Sequence, residues 1–139
     1  MFLLDTNVVS DLRRARTGRG DPKVADWADA QHASSLFLST MTLFEIEIGI
    51  RRIDRRDSEQ AAALRGWMTR HLEAAFAGRI LPVDDRISLA AAAFHVPDPA
   101  PVADSLIAAT ALVHGMVIVT RNLRDFRYAG VRVIDPWQG

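Results

Sequence analysis

The chain has 139 residues, 49% of them apolar, and its 17 basic and 17 acidic side chains cancel. That length and composition suit a single domain spanning residues 1–139 with a sizeable core, and the charge balance excludes a strongly polycationic or polyanionic chain. The sequence has no cysteine, which rules out disulfides, thiolate metal sites and a cysteine nucleophile. Lys23 is the only lysine; every other basic residue is arginine, the side chain better suited to holding phosphate in two-point contacts. Met1 to Asp5 carries no basic lead, and the longest apolar stretch, Leu106 to Val119, is too short to span a bilayer and contains His114 and Gly115. A cytoplasmic location without membrane contact is the expectation.

Phe2-Leu3-Leu4 reads as a short buried strand ending at Asp5, and Thr6 to Arg14 reads as a helix. Thr17 to Pro22 is a loop, and Asp21-Pro22 supplies an N-cap followed by proline at the first helical position. Leu36 to Leu38 is a second strand, followed by a helix from Thr42 to about Ile53 with Leu43, Ile46 and Ile50 on one stripe. Ser58 to Ala77 has the spacing of a long amphipathic helix stopped by Gly78, and Arg79 to Val83 is strand-like. Asp84 or Asp85 caps an alanine-rich helix running to His95, and Pro97, Pro99 and Pro101 form a stiff extended connector. Asp104 to His114 is a helix apolar nearly all round and therefore buried, Met116 to Val119 is a strand, and Val131 to Ile134 is the last one. Short apolar strands alternating with helices predict an α/β fold: three α/β/α layers around a short-stranded, mostly parallel sheet.

In such sheets the ligand crevice lies beyond the carboxyl ends of the strands. Asp5 follows the first strand, Glu45 lies in the first turn of the helix after the second, and Asp104 opens the buried helix. Asn122 and Asp125 follow the strand ending at Val119, so all five face one end of the sheet. Each also has a purely structural explanation. Asp5 caps a helix, and Thr42 with Glu45 fits a capping box. Asp104 complements a helix dipole, while Asn122 and Asp125 suit turns. Convergence is what favours a site. Two carboxylates about 4 Å apart repel by about 4 kcal/mol at an effective dielectric near 20, so several cannot stay ionised in one cleft without a cation. With only oxygen donors, that cation should be hard: Mg²⁺ or Mn²⁺.

These residues also carry a family resemblance. Leu3-Leu4-Asp5-Thr6-Asn7-Val8 resembles the opening motif of PIN-domain nucleases, and Ser39-Thr40-Met41-Thr42-Leu43-Phe44-Glu45 their second. Ala103-Asp104-Ser105-Leu106-Ile107-Ala108-Ala109-Thr110-Ala111 resembles the third, and Val119-Thr120-Arg121-Asn122 with Asp125-Phe126 the fourth. Phe76-Ala77-Gly78-Arg79-Ile80-Leu81-Pro82 and the ending Asp135-Pro136-Trp137 are closer still to the VapC toxins, especially their FitB-like members. The resemblance implies an Mg²⁺- or Mn²⁺-dependent endoribonuclease acting as the toxin of a toxin–antitoxin pair. Asp5, Asp104 and Glu45 would bind metal and act in catalysis, and Thr6 and Thr120 would orient carboxylates or bound water. It further implies a homodimer, RNA as substrate, a VapB-type antitoxin, and contact with operator DNA through that antitoxin. Relatives often carry aspartate where Asn122 stands, so the fourth acidic position is open between Asn122 and Asp125, and one well-ordered ion is expected in the free chain.

Other features carry less. Arg51, Arg52, Arg55 and Arg56 read as a solvated helix face, whereas Arg13, Arg14, Arg16 and Arg19 lie by the predicted cleft, suited to RNA or an acidic partner. The histidines at 32, 71, 95 and 114 lack metal-ligand spacing. Leu64, Trp67, Met68 and Leu72 form a stripe that is core or a groove for an antitoxin helix. A receiver-like domain would need a lysine near the last strand, and a haloacid-dehalogenase-type phosphatase a second aspartate at Asn7. The remaining alternative is a catalytically weak PIN-fold binding module acting in an antitoxin–DNA complex.

Overall fold

The computed structural model describes residues 1–138. Five strands, β1 (Phe2–Leu4), β2 (Leu36–Ser39), β3 (Ile80–Leu81), β4 (Val117–Val119) and β5 (Arg132–Ile134), form one sheet. Their order is β3-β2-β1-β4-β5, and every neighbouring pair is parallel. Leu3 of β1 lies between Phe37 of β2 and Ile118 of β4. Side chains alternate across a strand, so adjacent residues of β1 enter different cores. Leu4 joins Val8, Ile50, Leu72 and Val119 on one face. Leu3 joins Ile107, Ala108, Ile118 and Phe126 on the other. Burying each such side chain stabilises the fold by about 1.5–3 kcal/mol. The strands are apolar on both faces because helices cover both.

Those helices are α1 (Thr6–Ala15), α2 (Pro22–Asp29), α3 (Thr40–Asp54), α4 (Ser58–Trp67), α5 (Glu73–Ala75), α6 (Asp85–Ala93) and α7 (Val102–His114). Asp21 caps α2 through Lys23 N–H at 2.9 Å, with Pro22 in the first turn. Gly20 is required just before it: a Cβ there would meet the Asp11 carbonyl at 2.6 Å and the Ala15 nitrogen at 2.7 Å. Buried Asp11 accepts from Asp21 N–H at 3.0 Å, fastening the loop to α1. Of the two candidate caps for α6, Asp84 serves, accepting from Ile87 N–H at 2.9 Å.

Several expectations are corrected. The capping box at Thr42 and Glu45 does not form, because α3 starts two residues earlier, capped by the Ser39 side chain on Met41 N–H. Glu45 therefore stands in the second turn. The long helix is interrupted by a π turn over Met68–Leu72 between α4 and α5, where the Thr69 hydroxyl donates to the Arg65 carbonyl and competes with the regular ladder. Gly78, at φ +77°, then turns the chain into β3. The alanine-rich helix ends at Ala93 rather than His95, and the proline connector bends through Val96–Asp98 before running extended. Helix α7 begins at Val102, and it is not covered all round, since Leu112 is 40% exposed. No helix among the described residues is long and apolar enough to cross a membrane.

Candidate active site

The chain leaves β1 towards β2 and β3 and returns on the other side of β1 as β4. The carboxyl ends of β1 and β4 therefore flank a topological switch point, where open α/β sheets leave a crevice. Asp5 stands at the first end and Thr120 at the second. The Asp5 N–H donates to the Val119 carbonyl at 2.9 Å, and Thr120 N–H donates to Ile134 at 3.0 Å, so the sheet fixes both positions.

Asp5 is buried and caps α1. Its Oδ1 accepts from Thr6 N–H at 2.8 Å, and its Oδ2 accepts from the Thr120 hydroxyl at 2.8 Å. Capping and membership of the acidic cluster are thus one geometry. Thr120 is also a hub: its Oγ1 accepts from Asn122 N–H at 3.0 Å and from Asn7 Nδ2 at 3.3 Å, while donating to Asp5. Across the cleft the Thr6 hydroxyl donates to Glu45 Oε1 at 2.6 Å, beside the fully buried Thr42.

Asp104 lies in the first turn of α7, and its carboxyl is raised to about 6. Burial is the main cause; the charges of Asp5, Asp125 and Glu45 add to it. Burial likewise raises Asp5, against the hydrogen bonds from Thr120 and Thr6, and Glu45 and Asp125 push the same way. The Tyr128 phenol is raised by burial and then by Asp104 and Asp125. Asp125 thus shares the field of the other acids. It sits on a 3₁₀ turn (Leu123–Phe126) that follows Asn122, whose exposed side chain makes no cap bond to that turn. Among the described residues, no arginine, lysine or histidine forms an ion pair with Asp5, Glu45, Asp104 or Asp125.

The matching family model, the PIN domain, spans residues 2–131. The chain belongs to the PIN-domain family. Two curated relatives match 99% of this chain and 99% of their own length. They are the plasmid stability protein StbB of Pseudomonas syringae pv. tomato, 38% identical, and the VapC ribonuclease Y4jK of Sinorhizobium fredii, 34% identical. Among solved structures, FitAcB from Neisseria gonorrhoeae superposes with a TM-score of 0.87 at 30% identity, covering 100% of both chains. FitAB bound to an IR36 DNA fragment superposes with a TM-score of 0.84 at 32% identity, covering 99% of this chain and 96% of that one.

The donor chemistry of this PIN-domain cleft suits a hard cation: carboxylates and hydroxyls, without sulfur and without a neutralising base. Among the described residues no three acids converge closely enough to form a ready-made cage. Mg²⁺ is a cation that uses one or two carboxylates and keeps several waters. The arginines expected at the cleft divide. Arg14 pairs with Asp11 at 3.5 Å, Arg19 donates to Thr17, and Arg13 lies over the Trp67 ring at 5.9 Å, the guanidinium destabilised by burial and by Arg14 and Arg19. Arg51 pairs with Glu47, while Arg52, Arg55 and Arg56 are exposed. Trp67 and Leu72 line a small apolar hollow between α1 and the π turn.

Sequence reasoning passed over three features beside the acids. Arg121, Arg124 and Arg127 recur every third residue, a spacing visible in the sequence, on the exposed segment carrying Asp125. Tyr128 stacks on Phe94 with ring centroids 4.3 Å apart. His95 lacked metal spacing, but its Nε2 lies 2.9 Å from the Ser105 hydroxyl, next to Asp104.

Proposed function

We propose that this PIN-domain protein is a VapC-type endoribonuclease that hydrolyses RNA phosphodiester bonds with Mg²⁺, or Mn²⁺, held directly at Asp5 and Asp104, with Glu45 reaching it through water. The observation that carries this reading is four acids sharing one electrostatic field at the sheet's switch point, without a basic partner among the described residues. The VapC ribonuclease relative supports the substrate class. Bound there, a divalent cation would neutralise the carboxylates, lower the pKa of a coordinated water and polarise the phosphate.

The chain's own groups then have distinct tasks. Thr120 and Thr6 N–H occupy one lone-pair direction on each Asp5 oxygen, which fixes the plane of the carboxylate and leaves its remaining lone pairs for a ligand. The Thr6 hydroxyl restrains Glu45 in the same way. Asp104, with its raised carboxyl, releases its proton most readily when a cation arrives, so ligand binding should be coupled to proton loss. For the fourth acidic position Asp125 is the charged candidate, its field reaching Asp5 and Asp104, while Asn122 would offer a carbonyl oxygen and no charge.

The biological setting follows from the same resemblance. We infer a toxin restrained by a VapB-type antitoxin that also contacts operator DNA, a cytoplasmic location and a homodimer; the FitAB–DNA structure supports the partner and the DNA.

Cleavage of structured RNAs with Mg²⁺ tests this directly. Asp5→Asn and Asp104→Asn should each lower the rate by about 10³-fold or more, and EDTA should abolish it. Cleavage that survives either substitution or the chelator removes the site. Failure of the unaltered chain to cut any RNA puts the binding-module reading in its place.

A further inference from the structure

Helix α7 carries Asp104 in its first turn, yet it starts without a side-chain cap. Helices α1, α2, α3, α4 and α6 start on Asp5, Asp21, Ser39, Asp57 and Asp84, each accepting a backbone N–H from the first turn. The residue before α7 is Pro101, whose side chain has no acceptor to offer. A helix end without a cap leaves its first N–H groups unanswered and frays most readily. The placement of Asp104 therefore has to be secured from outside the helix.

His95, half-buried just beyond α6, supplies that restraint. Ser105, the residue after Asp104, is 1% exposed, and its hydroxyl donates to the Val102 carbonyl at 2.7 Å. With its own proton committed there, the hydroxyl accepts from His95 Nε2, 2.9 Å away. The other side of the ring agrees. Ala100 N–H donates to Nδ1 at 3.4 Å, so Nδ1 offers its lone pair and Nε2 carries the proton. Two partners on different segments thus demand the same tautomer, and the ring ties the proline connector to the first turn of α7. The ring is anchored in turn by its neighbour: Phe94 closes α6 and stacks on Tyr128 with centroids 4.3 Å apart.

We propose that His95 is a positioning residue for Asp104: its imidazole clasps Ser105 and the connector, and so holds the uncapped first turn of α7 where Asp104 meets the other acids. What that placement serves rests on the ribonuclease reading; the clasp itself does not. One planar peptide unit joins Asp104 to Ser105, so a shift of the serine is passed to the aspartate. A displacement of about 1 Å is enough to slow a reaction that needs aligned groups by about 100-fold. The uncapped start makes α7 the helix on which such a clasp has most effect.

The test compares three replacements of the ring in the full chain. His95→Gln presents an amide donor to Ser105 in place of Nε2. His95→Asn presents an amide oxygen to Ala100 in place of Nδ1 and falls short of Ser105, and His95→Leu fills the space and offers neither. Amide hydrogen exchange in EDTA reads the clasp directly at Ser105 N–H, which donates to the Pro101 carbonyl. It should be about 10-fold faster in the Asn and Leu variants and within about twofold of the parent in the Gln variant. Mn²⁺ binding without RNA, followed by electron paramagnetic resonance, should weaken by about 10-fold in the same two and recover with Gln. In RNA cleavage kcat should fall by about 10-fold in those two, with KM within about twofold. Ser105→Ala opens the clasp from the other side, so combining it with His95→Leu should be no worse than either change alone. Gln and Leu variants that behave alike, or losses that add in the double variant, overturn the clasp, because packing alone gives those results. Thermal melts identify a variant that has not folded; if His95→Leu is one, Gln against Asn decides. If the unaltered chain neither binds Mn²⁺ nor cuts RNA, the ribonuclease reading fails, and exchange at Ser105 still decides the clasp.

Discussion

The two halves of the acidic cluster are held by different means. Asp5 and Glu45 are locked: their oxygens accept from the Thr120 and Thr6 hydroxyls and from Thr6 N–H, at 2.6–2.8 Å. Asp104 is placed by its helix and Asp125 by a 3₁₀ turn, and the state of Asp104 is governed by burial and by the charges of Asp5, Asp125 and Glu45. A cleft built this way has one half organised in advance and one half whose charge state answers to its surroundings.

The largest expected break in this contrast comes from Thr120→Val. It strips buried Asp5 of a donor and the Asn122 N–H of its acceptor, costing about 2–3 kcal/mol in urea unfolding. Cleavage should fall about 10–100-fold as the carboxylate loses its orientation. A variant as stable and active as the parent would show that the hydroxyl does not organise the locked half.

Asp104→Asn should act in the opposite direction on stability. Folding raises this carboxyl from 3.8 to about 6, so its contribution is fully present below pH 3.8 and lost as pH rises through about 6. Removing the charge should therefore stabilise the chain at pH 8 in EDTA by about 1 kcal/mol, after discounting for its half-exposed position. Tm should rise by about 3–4 °C at pH 8, with the two proteins melting together near pH 4. An equal gap at both pH values would sink the electrostatic account of the open half. Adding Mg²⁺ at pH 8 should raise the Tm of the parent more than that of the variant.

The smallest effect belongs to Thr6→Val. It removes one partly exposed bond to Glu45 and should cost about 0.5–1 kcal/mol, with a cleavage loss of about fivefold. A loss as large as that of Thr120→Val would make Glu45 as tightly organised as Asp5 and redraw the boundary between the halves.

Local pattern alone was enough to place β1, β2 and β4, the Asp21-Pro22 helix start and the short-stranded α/β layering, because apolar runs, caps and proline act through neighbours in sequence. The order of motifs likewise identified the PIN-domain family. Where α3 begins was decided elsewhere. Ser39 takes the cap, and Thr42 is drawn into the interior instead, so the local capping box loses to tertiary packing. The π turn at Met68–Leu72 was hidden for a similar reason, since the sequence keeps helical spacing through it. The fourth acidic position is open between Asn122 and Asp125 because both suit a turn in one dimension. Only the folded chain brings Asp125 into the field of Asp5, more than a hundred residues away, and Tyr128 into the field of Asp104. Sequence fixes which groups are available within a turn or a strand; through-space charge and the walls of a cleft exist only once distant segments meet.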